Sequence, residues 1–324
     1  MEKIYDVTAL GELLIDFTEN GTSSQGNPIL EANPGGAPCN VLAMLQKLGR
    51  KTSFIGKVGE DQFGTMLKKA VEDAGIDTGN LVFDKDVHTT LAFVHTYPDG
   101  DRDFSFYRNP GADVMLRSDE VQKERIEASR IFHFGTLSFT HEESRKAVCQ
   151  GIHYAKEAGV TVSFDPNLRE PLWADLEDAR KAMAYGMSQC DILKISDNEL
   201  VFFTGKEDYD EGIAAIREAY KIPLIFLTMG KDGSRAYYKD MRVEAGPFPQ
   251  KNTIETTGAG DTFTGCALDG ILTAGLDNLT EKDLSGILTF ANAAAALITT
   301  RRGALKVMPE KEEVLRLAAE RTGV

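Results

Sequence analysis

Residues 131–167 read IFHFGTLSFTHEESRKAVCQGIHYAKEAGVTVSFDPN, and this stretch decides the fold. Ile131–Gly135 is a short apolar run suited to a buried strand. Glu142–Ala158 carries apolar residues at helical spacing and stops before Gly159. Val160–Phe164 is a second strand, closed by Asp165-Pro166-Asn167. A strand, a helix and a strand in succession form one unit of a parallel sheet.

The same rhythm continues downstream. Asp175–Gln189 is helical, Ile192–Ile195 is a strand, and Leu200–Thr204 belongs to a short helix. Glu211–Tyr220 is helical, and Leu224–Thr228 is a strand that runs into Met229-Gly230. The spacing predicts an α/β fold with a mostly parallel sheet and helices on both faces. In the last third, Ser234–Tyr238 and Arg242–Ala245 read as antiparallel strands. Helices follow over Ala259–Ala274, Glu281–Thr299 and Pro309–Ala319. The alanine-rich run around Asn292 either admits a flat ligand or simply lets helices pack closely.

Upstream, two segments depart from the rhythm. Glu12–Asn33 is broken by Asn20-Gly21-Thr22-Ser23-Ser24. Thr90–Thr96 and Asp103–Tyr107 alternate around Pro98-Asp99-Gly100, a hairpin turn signal. They predict a small antiparallel lid, formed by about residues 12–33 and 89–110, on a single domain spanning 1–324. Aromatic residues at 93, 97, 104, 106 and 107 either line its underside or are ordinary strand residues.

The bulk properties narrow the function. With 324 residues, 42% hydrophobic, the chain can build a large core. Its formal net charge of −14 argues against a nucleic-acid partner. A phosphate-bearing ligand would have to be met by local devices such as helix N-termini, single basic residues and a metal ion. No apolar run reaches the ~18 residues that cross a bilayer, so no membrane partner is expected. The first residues lack the flank and core of a signal peptide. Cys39, Cys149, Cys190 and Cys266 are far apart, which suits a reduced, cytoplasmic setting. His88, His95, His133, His141 and His153 show no metal-ligand spacing and are expected to be structural or surface residues. Walker A, protein-kinase glycine-loop and nucleophile-elbow patterns are absent.

Five short motifs could carry chemistry. Glu255-Thr256-Thr257-Gly258-Ala259-Gly260-Asp261 leads small residues into a helix start, where free N–H groups form an anion site. Asp261 there either caps the helix or accepts a proton from a hydroxyl beside the bound phosphate. Asn33-Pro34-Gly35-Gly36-Ala37-Pro38-Cys39-Asn40 either is a plain turn into a helix or lets backbone and the Asn40 amide approach a polyhydroxylated ligand. Asp16 could accept two sugar hydroxyls, or be a solvated strand end. Lys194-Ile195-Ser196-Asp197-Asn198-Glu199, where a strand ends and a helix begins, is either an N-cap with an acidic first turn or a place to hold hydrated Mg²⁺. Thr228-Met229-Gly230-Lys231-Asp232-Gly233 is a strand end entering a glycine turn.

These motifs, in this order, resemble the ribokinase-like carbohydrate kinase family over essentially the whole chain. The resemblance implies a three-layer α/β/α sandwich, a β lid, and ATP-dependent phosphorylation of a sugar hydroxyl. Asp16, Gly35, Gly36 and Asn40 match the family's sugar-gripping residues. Asp261 matches its catalytic base, and the Gly258, Ala259 and Gly260 amides match its anion hole. Glu255 stands where the family usually has Asp; with Thr257 it matches a K⁺ site, and Arg301–Ala304 is compatible with one. Glu199 matches the Mg²⁺-linked glutamate, acting through water, with Ser196 where many relatives carry Asn. Thr228, Gly230, Gly233 and Asn292 match positions that border the nucleotide. Three stretches are similar to fructokinases: 32–40 (ANPGGAPCN), 107–113 (YRNPGAD) and 164–173 (FDPNLREPLW). They imply D-fructose as substrate and fructose 6-phosphate as product. Arg108 from the lid and Arg169 from below are then sugar or phosphate contacts, or structural ion-pair partners. The alternatives are a 2-keto-3-deoxygluconate kinase, a ribose or nucleoside kinase, and a sugar-binding homologue without catalysis. Related dimers suggest a homodimer through the lid.

Overall fold

The computed structural model describes residues 2–96 and 102–322. The turn expected at Pro98-Asp99-Gly100 lies outside them. Strand β1 (Tyr5–Leu10) is followed by β2 (Leu14–Thr22), β3 (Pro28–Gly35), α1 (Ala37–Lys47), β4 (Thr52–Gly59), α2 (Gln62–Asp73) and β5 (Asp77–Asp84). Next come β6 (Leu91–Thr96), β7 (Arg102–Tyr107), α3 (Lys123–Glu127), β8 (Ser129–Gly135), α4 (Glu142–Glu157) and β9 (Thr161–Asp165). Then follow α5 (Leu176–Gln189), β10 (Ile192–Ser196), α6 (Asp197–Thr204), α7 (Tyr209–Tyr220) and β11 (Leu224–Thr228). The chain continues through β12 (Ser234–Tyr238), β13 (Met241–Ala245), α8 (Ala259–Ala274), α9 (Glu281–Ile298) and α10 (Lys311–Thr322).

The main sheet has nine strands in the order β13-β12-β11-β10-β9-β8-β1-β4-β5. Seven run parallel, and only β12 and β13 join antiparallel at one edge. The order reverses between β1 and β8, because the chain winds outward in both directions from that point. Ligands of open α/β sheets sit at such a reversal, outside the carboxyl ends of the strands.

Each face of the sheet has its own apolar layer. Leu10, Phe132, Phe134, Val162, Phe164, Leu193 and Ile195 pack with α4, α5 and α7. Val7, Ala9, Ile131 and Ile192 face the other way, toward α1, α8 and α9. Strand side chains alternate between faces. His133, Ser163 and Lys194, polar residues inside these strands, therefore face the α1–α8 side.

A second sheet, ordered β3-β2-β6-β7, has four strands. Its β2–β3 and β6–β7 pairs are antiparallel, and β2 pairs with β6 in parallel. The parallel pair arises because the chain returns to the main sheet between them. One face of this sheet turns Asp16, Thr18, Val94 and Phe106 toward the main body. On the opposite face, Phe93 stacks on Phe17 at 4.9 Å and meets Tyr107 at 5.2 Å. Of the aromatic residues that could line the underside or be ordinary strand residues, Phe106 lines it, and Phe93 and Tyr107 are on the outside. Tyr97 and the side chain of Phe104 lie outside the described residues.

Candidate active site

The carboxyl ends of β1, β8, β9 and β10 open into a cavity of about 610 Å³ between the two sheets. Asp16, Gly36, Asn40, Arg169, Ser196, Glu199, Glu255, Thr257, Gly258, Gly260 and Asp261 all line it. Three distant stretches of chain thus meet at one place.

Asp261 lies in the first turn of α8, whose N-cap is Gly258 in the left-handed region at φ 77°. A Cβ at Gly258 would also come within 2.8 Å of the Ala304 Cβ, so the turn demands glycine. No side chain caps this helix. Asp261 instead turns to its neighbours: Oδ2 accepts a hydrogen bond from Asn40 Nδ2 at 2.8 Å, and Oδ1 is 3.5 Å from Asn167 Nδ2. The capping alternative left open by the sequence is thereby removed. Burial pushes the Asp261 carboxyl up to about 6, against the Asn40 hydrogen bond that favours its ionised form. The Ala259 amide bonds back to the Thr256 carbonyl at 3.2 Å, closing the turn that feeds the helix.

Asn40 sits in the first turns of α1, behind Gly36 at φ 131°. Only glycine fits there, because a Cβ would strike the Glu12 carbonyl oxygen. A Cβ at Gly35 would strike Asp16 Oδ2, so that glycine leaves room for the carboxylate. Asn40 Oδ1 is buried and has no partner in the protein. Such an atom points to a ligand that supplies a donor, as a sugar hydroxyl does. Burial lifts the Asp16 carboxyl to about 7, opposed by Arg169 and reinforced by Glu255 and Asp261. Arg169 is exposed at the cavity rim, and its Nη1 donates to the Leu168 carbonyl.

Other assignments change. Arg108 does not line the cavity. Its Nε and Nη2 donate to Asp113 Oδ2 at 2.8 and 2.6 Å, and further donors reach Thr140 Oγ1 and the Leu137 carbonyl. The guanidinium is 5% exposed and consumed by this pair, so its role is structural. Asn292 is likewise not a cavity residue. Its amide donates to the Ala245 and Gly246 carbonyls and accepts from Ser234 Oγ, which ties α9 to the sheet edge. Thr228, Gly230 and Gly233 lie beyond the cavity, although Thr228 pairs in register with Ser196, which lines it. Gly233 is held by its turn, since at φ 94° a Cβ would meet the Ala245 carbonyl.

Ser196 and Glu199 form a reciprocal cap at the start of α6. Glu199 Oε2 accepts the Ser196 amide and Oε1 accepts the Leu168 amide, both at 2.8 Å. Glu255 Oε1 accepts the Gly303 amide at 2.9 Å, joining the segment before α8 to the turn after α9. Among the described residues, no cluster of three or more acidic, His or Cys side chains is arranged to hold a metal.

The sequence reading gave no role to Glu12, Lys194 or Asn167. Glu12 is buried in the cavity wall, with Oε1 accepting the Ala37 amide at 2.8 Å. Burial pushes its carboxyl up to about 7. Lys194 Nζ reaches both Asp165 oxygens, at 3.3 and 3.2 Å, directly beneath Gly260. Burial works against its charge, but Asp165, Glu199 and Asp261 outweigh that and hold its pKa above the ordinary lysine value. Asn167 contacts Asp261. The signal was present: Glu12 and Lys194 are charges set among apolar residues of buried segments, where an unpaired charge is costly.

A glycine-shaped pocket, a helix start with a buried carboxylate and a covering sheet define a fold of the ribokinase type. The family model described as pfkB family carbohydrate kinase matches residues 5–311, and the chain belongs to that family. It is 42% identical over 312 residues to the probable fructokinase-2 of Arabidopsis thaliana, covering 95% of this chain and 94% of the relative. The fructokinase of Xylella fastidiosa with bound ATP superposes with a TM-score of 0.88 at 30% identity, covering 99% of this chain and all of that one. A double mutant of Vibrio cholerae fructokinase, bound to fructose, ADP and potassium, gives a TM-score of 0.86 at 28% identity, with 98% and 99% covered.

Proposed function

We propose that this chain transfers the γ-phosphoryl group of ATP to the C6 hydroxyl of D-fructose. The observation that carries the reading is the Asn40–Asp261 hydrogen bond, which joins the sugar-side glycines to the start of α8 in one cavity. Fructose would bind to Asp16, Asn40 and the backbone around Gly36, under the lid face formed by Val94 and Phe106. Its C6 hydroxyl would lie beside Asp261, which takes the proton as the oxygen attacks. With its pKa raised to about 6, Asp261 is largely ionised at neutral pH yet basic enough to help. The Gly258 and Gly260 amides and the α8 dipole would meet the phosphoryl oxygens, with Lys194 below and Arg169 at the rim; the Ala259 amide, expected to join them, is held by the Thr256 carbonyl. The nucleotide would extend over Ser196 toward Thr228 and the Gly230–Gly233 turn.

Mg²⁺ would neutralise charge on the ATP phosphates when bound. Both Glu199 oxygens already accept backbone amides, so that residue suits contact through water better than direct ligation. Glu255 and Thr257, with the turn at Gly303, are our candidate K⁺ site; the potassium in the Vibrio relative supports the idea. The outer lid carries exposed Ile29, Leu30 and Tyr107, which favours a homodimer through that sheet. All four cysteines are unpaired, which suits a reducing, cytoplasmic setting. No helix among the described residues is long and apolar enough to cross a membrane.

A panel of sugars with ATP and Mg²⁺, with and without K⁺, tests the reading. Fructose should give the highest kcat/KM, ahead of ribose, nucleosides and 2-keto-3-deoxygluconate. A preference for the keto acid would assign the exposed Arg169 to a substrate carboxylate and displace fructose.

A further inference from the structure

Beneath the cavity floor lies a second, much smaller space. It measures about 10 Å³ and is lined by Glu12, His133, Asp165, Asn167 and Asp261, with Pro38 closing one side. That is close to the volume one water molecule needs, and the walls offer more than the two to four polar partners such a water uses. His133 is 2% exposed on β8, and its Nδ1 lies 3.1 Å from Ser163 Oγ. Burial, with help from Lys194, pushes its pKa down to about 3, so the ring is neutral. The ring lines the small space with three carboxylates, and with Nδ1 taken by Ser163 it has Nε2 left to offer them. Those acceptors favour the tautomer with hydrogen on Nε2, while the Ser163 hydroxyl donates to Nδ1. Asp261 faces the same space with an unmet need. Its Oδ2 is served by Asn40 at 2.8 Å, but Oδ1 has only the Asn167 amide at 3.5 Å, too long for a good hydrogen bond. A buried carboxylate oxygen calls for a closer donor.

We propose that this pocket holds one ordered water molecule, fixed by His133 and Glu12, which donates a hydrogen bond to Asp261 Oδ1 and thereby sets the pH range of the base. His133 and Glu12 are then positioning residues. The water accepts the His133 Nε2 hydrogen and shares its own hydrogens between Asp261 and Glu12. The inference rests on the proposed role of Asp261 as base. Around that carboxylate stand Asn40 from α1, Glu12 after β1, Asp16 from β2, His133 from β8, Asp165 at the end of β9, Asn167 and Arg169 after it, and Lys194 from β10. Loss of the water withdraws a donor that favours the ionised form. Glu12, its carboxyl pushed up to about 7 by burial, is largely protonated across the range where Asp261 titrates, so replacing it by Gln removes little charge. The first change should therefore move the titration of Asp261 and the second leave it nearly in place, a split that a general loosening of the site would not produce.

The test uses the full chain and two readouts. A high-resolution crystal structure should show density within hydrogen-bond distance of His133 Nε2 and Asp261 Oδ1. The pH dependence of kcat/KM for fructose should follow. His133→Phe should move the acid limb upward by roughly half a pH unit or more. His133→Gln, whose amide reaches the Nε2 position, should keep it near the wild-type value. Glu12→Gln, which still accepts the Ala37 amide, should leave it near the wild-type value. Should His133→Phe fail to fold, the Gln variants and the density still decide. Absence of ordered water from the pocket, or acid limbs that do not separate in these directions, overturns the proposal. If no sugar is phosphorylated at all, the proposed function fails, and the density judges the water by itself.

Discussion

Three carboxyl groups in one cavity are held away from their ordinary protonation range, each mainly by burial: Glu12 and Asp16 near 7, Asp261 near 6. For Asp261 and Asp16 the ionised forms are the useful ones, as proton acceptor and as hydroxyl acceptor. Activity should therefore fall as pH drops, with kcat/KM for fructose bending down between about pH 6 and 7. A flat profile to pH 5 would contradict the assignment. The same shifts affect stability. Folded Asp16 holds its proton more tightly than the unfolded chain does, so its contribution worsens as pH rises from about 4 to 7 and stays unfavourable above. Asp16→Asn should match wild type near pH 4. At pH 8 it should be more stable by about 1 kcal/mol or more, read from the urea midpoint, and have lost sugar binding. At this scale the sequence was legible where a motif names the residue, as at Asp16, Asn40 and Asp261. A charge within a buried segment marked Glu12 and Lys194, but what they and His133 do was not legible, because their partners come from α1 and β9.

Among the elements, the starts of α1 and α8 do most to shape the cavity. Gly36, at φ 131° and against the Glu12 carbonyl, fixes where α1 begins and so where Asn40 points. Gly36→Ala should cost about 1–3 kcal/mol in urea unfolding and raise KM for the sugar. Unchanged stability would mean the turn can relax. The helix boundaries of the last two thirds followed from their periodicity, with α8 starting and ending at the expected residues. The lid's position was legible from its two alternating runs. The parallel β2–β6 pair was not, because pairing depends on the route of the chain between them. Ser196–Glu199 shows how one sequence serves two ends: the cap it forms is also what holds Glu199 at the cavity.

For the molecule as a whole, the central relation is between the small sheet and the body. Arg108, just after β7, is buried against Asp113 and bonded to the Leu137 carbonyl and Thr140 beyond β8. A buried pair that loses one partner leaves an uncompensated charge, which typically costs about 3–5 kcal/mol. Arg108→Met should lower stability by that order, and Asp113→Leu added to it should restore a good part. A single Arg108→Met variant of normal stability and raised KM would return Arg108 to the substrate. The sequence left both roles open for Arg108, because only the fold shows which carboxylate it meets. Net charge gave no hint of phosphate chemistry. At −14 the chain concentrates its phosphate-facing groups, the α8 start, Lys194 and Arg169, within one cavity.

The most direct measurement is the turnover of Asp261→Asn with fructose, ATP and Mg²⁺, alongside its ATP affinity and melting temperature. The account predicts a folded protein that binds ATP within a few-fold of wild type and turns over more than about 10²-fold more slowly. A rate close to wild type would contradict it.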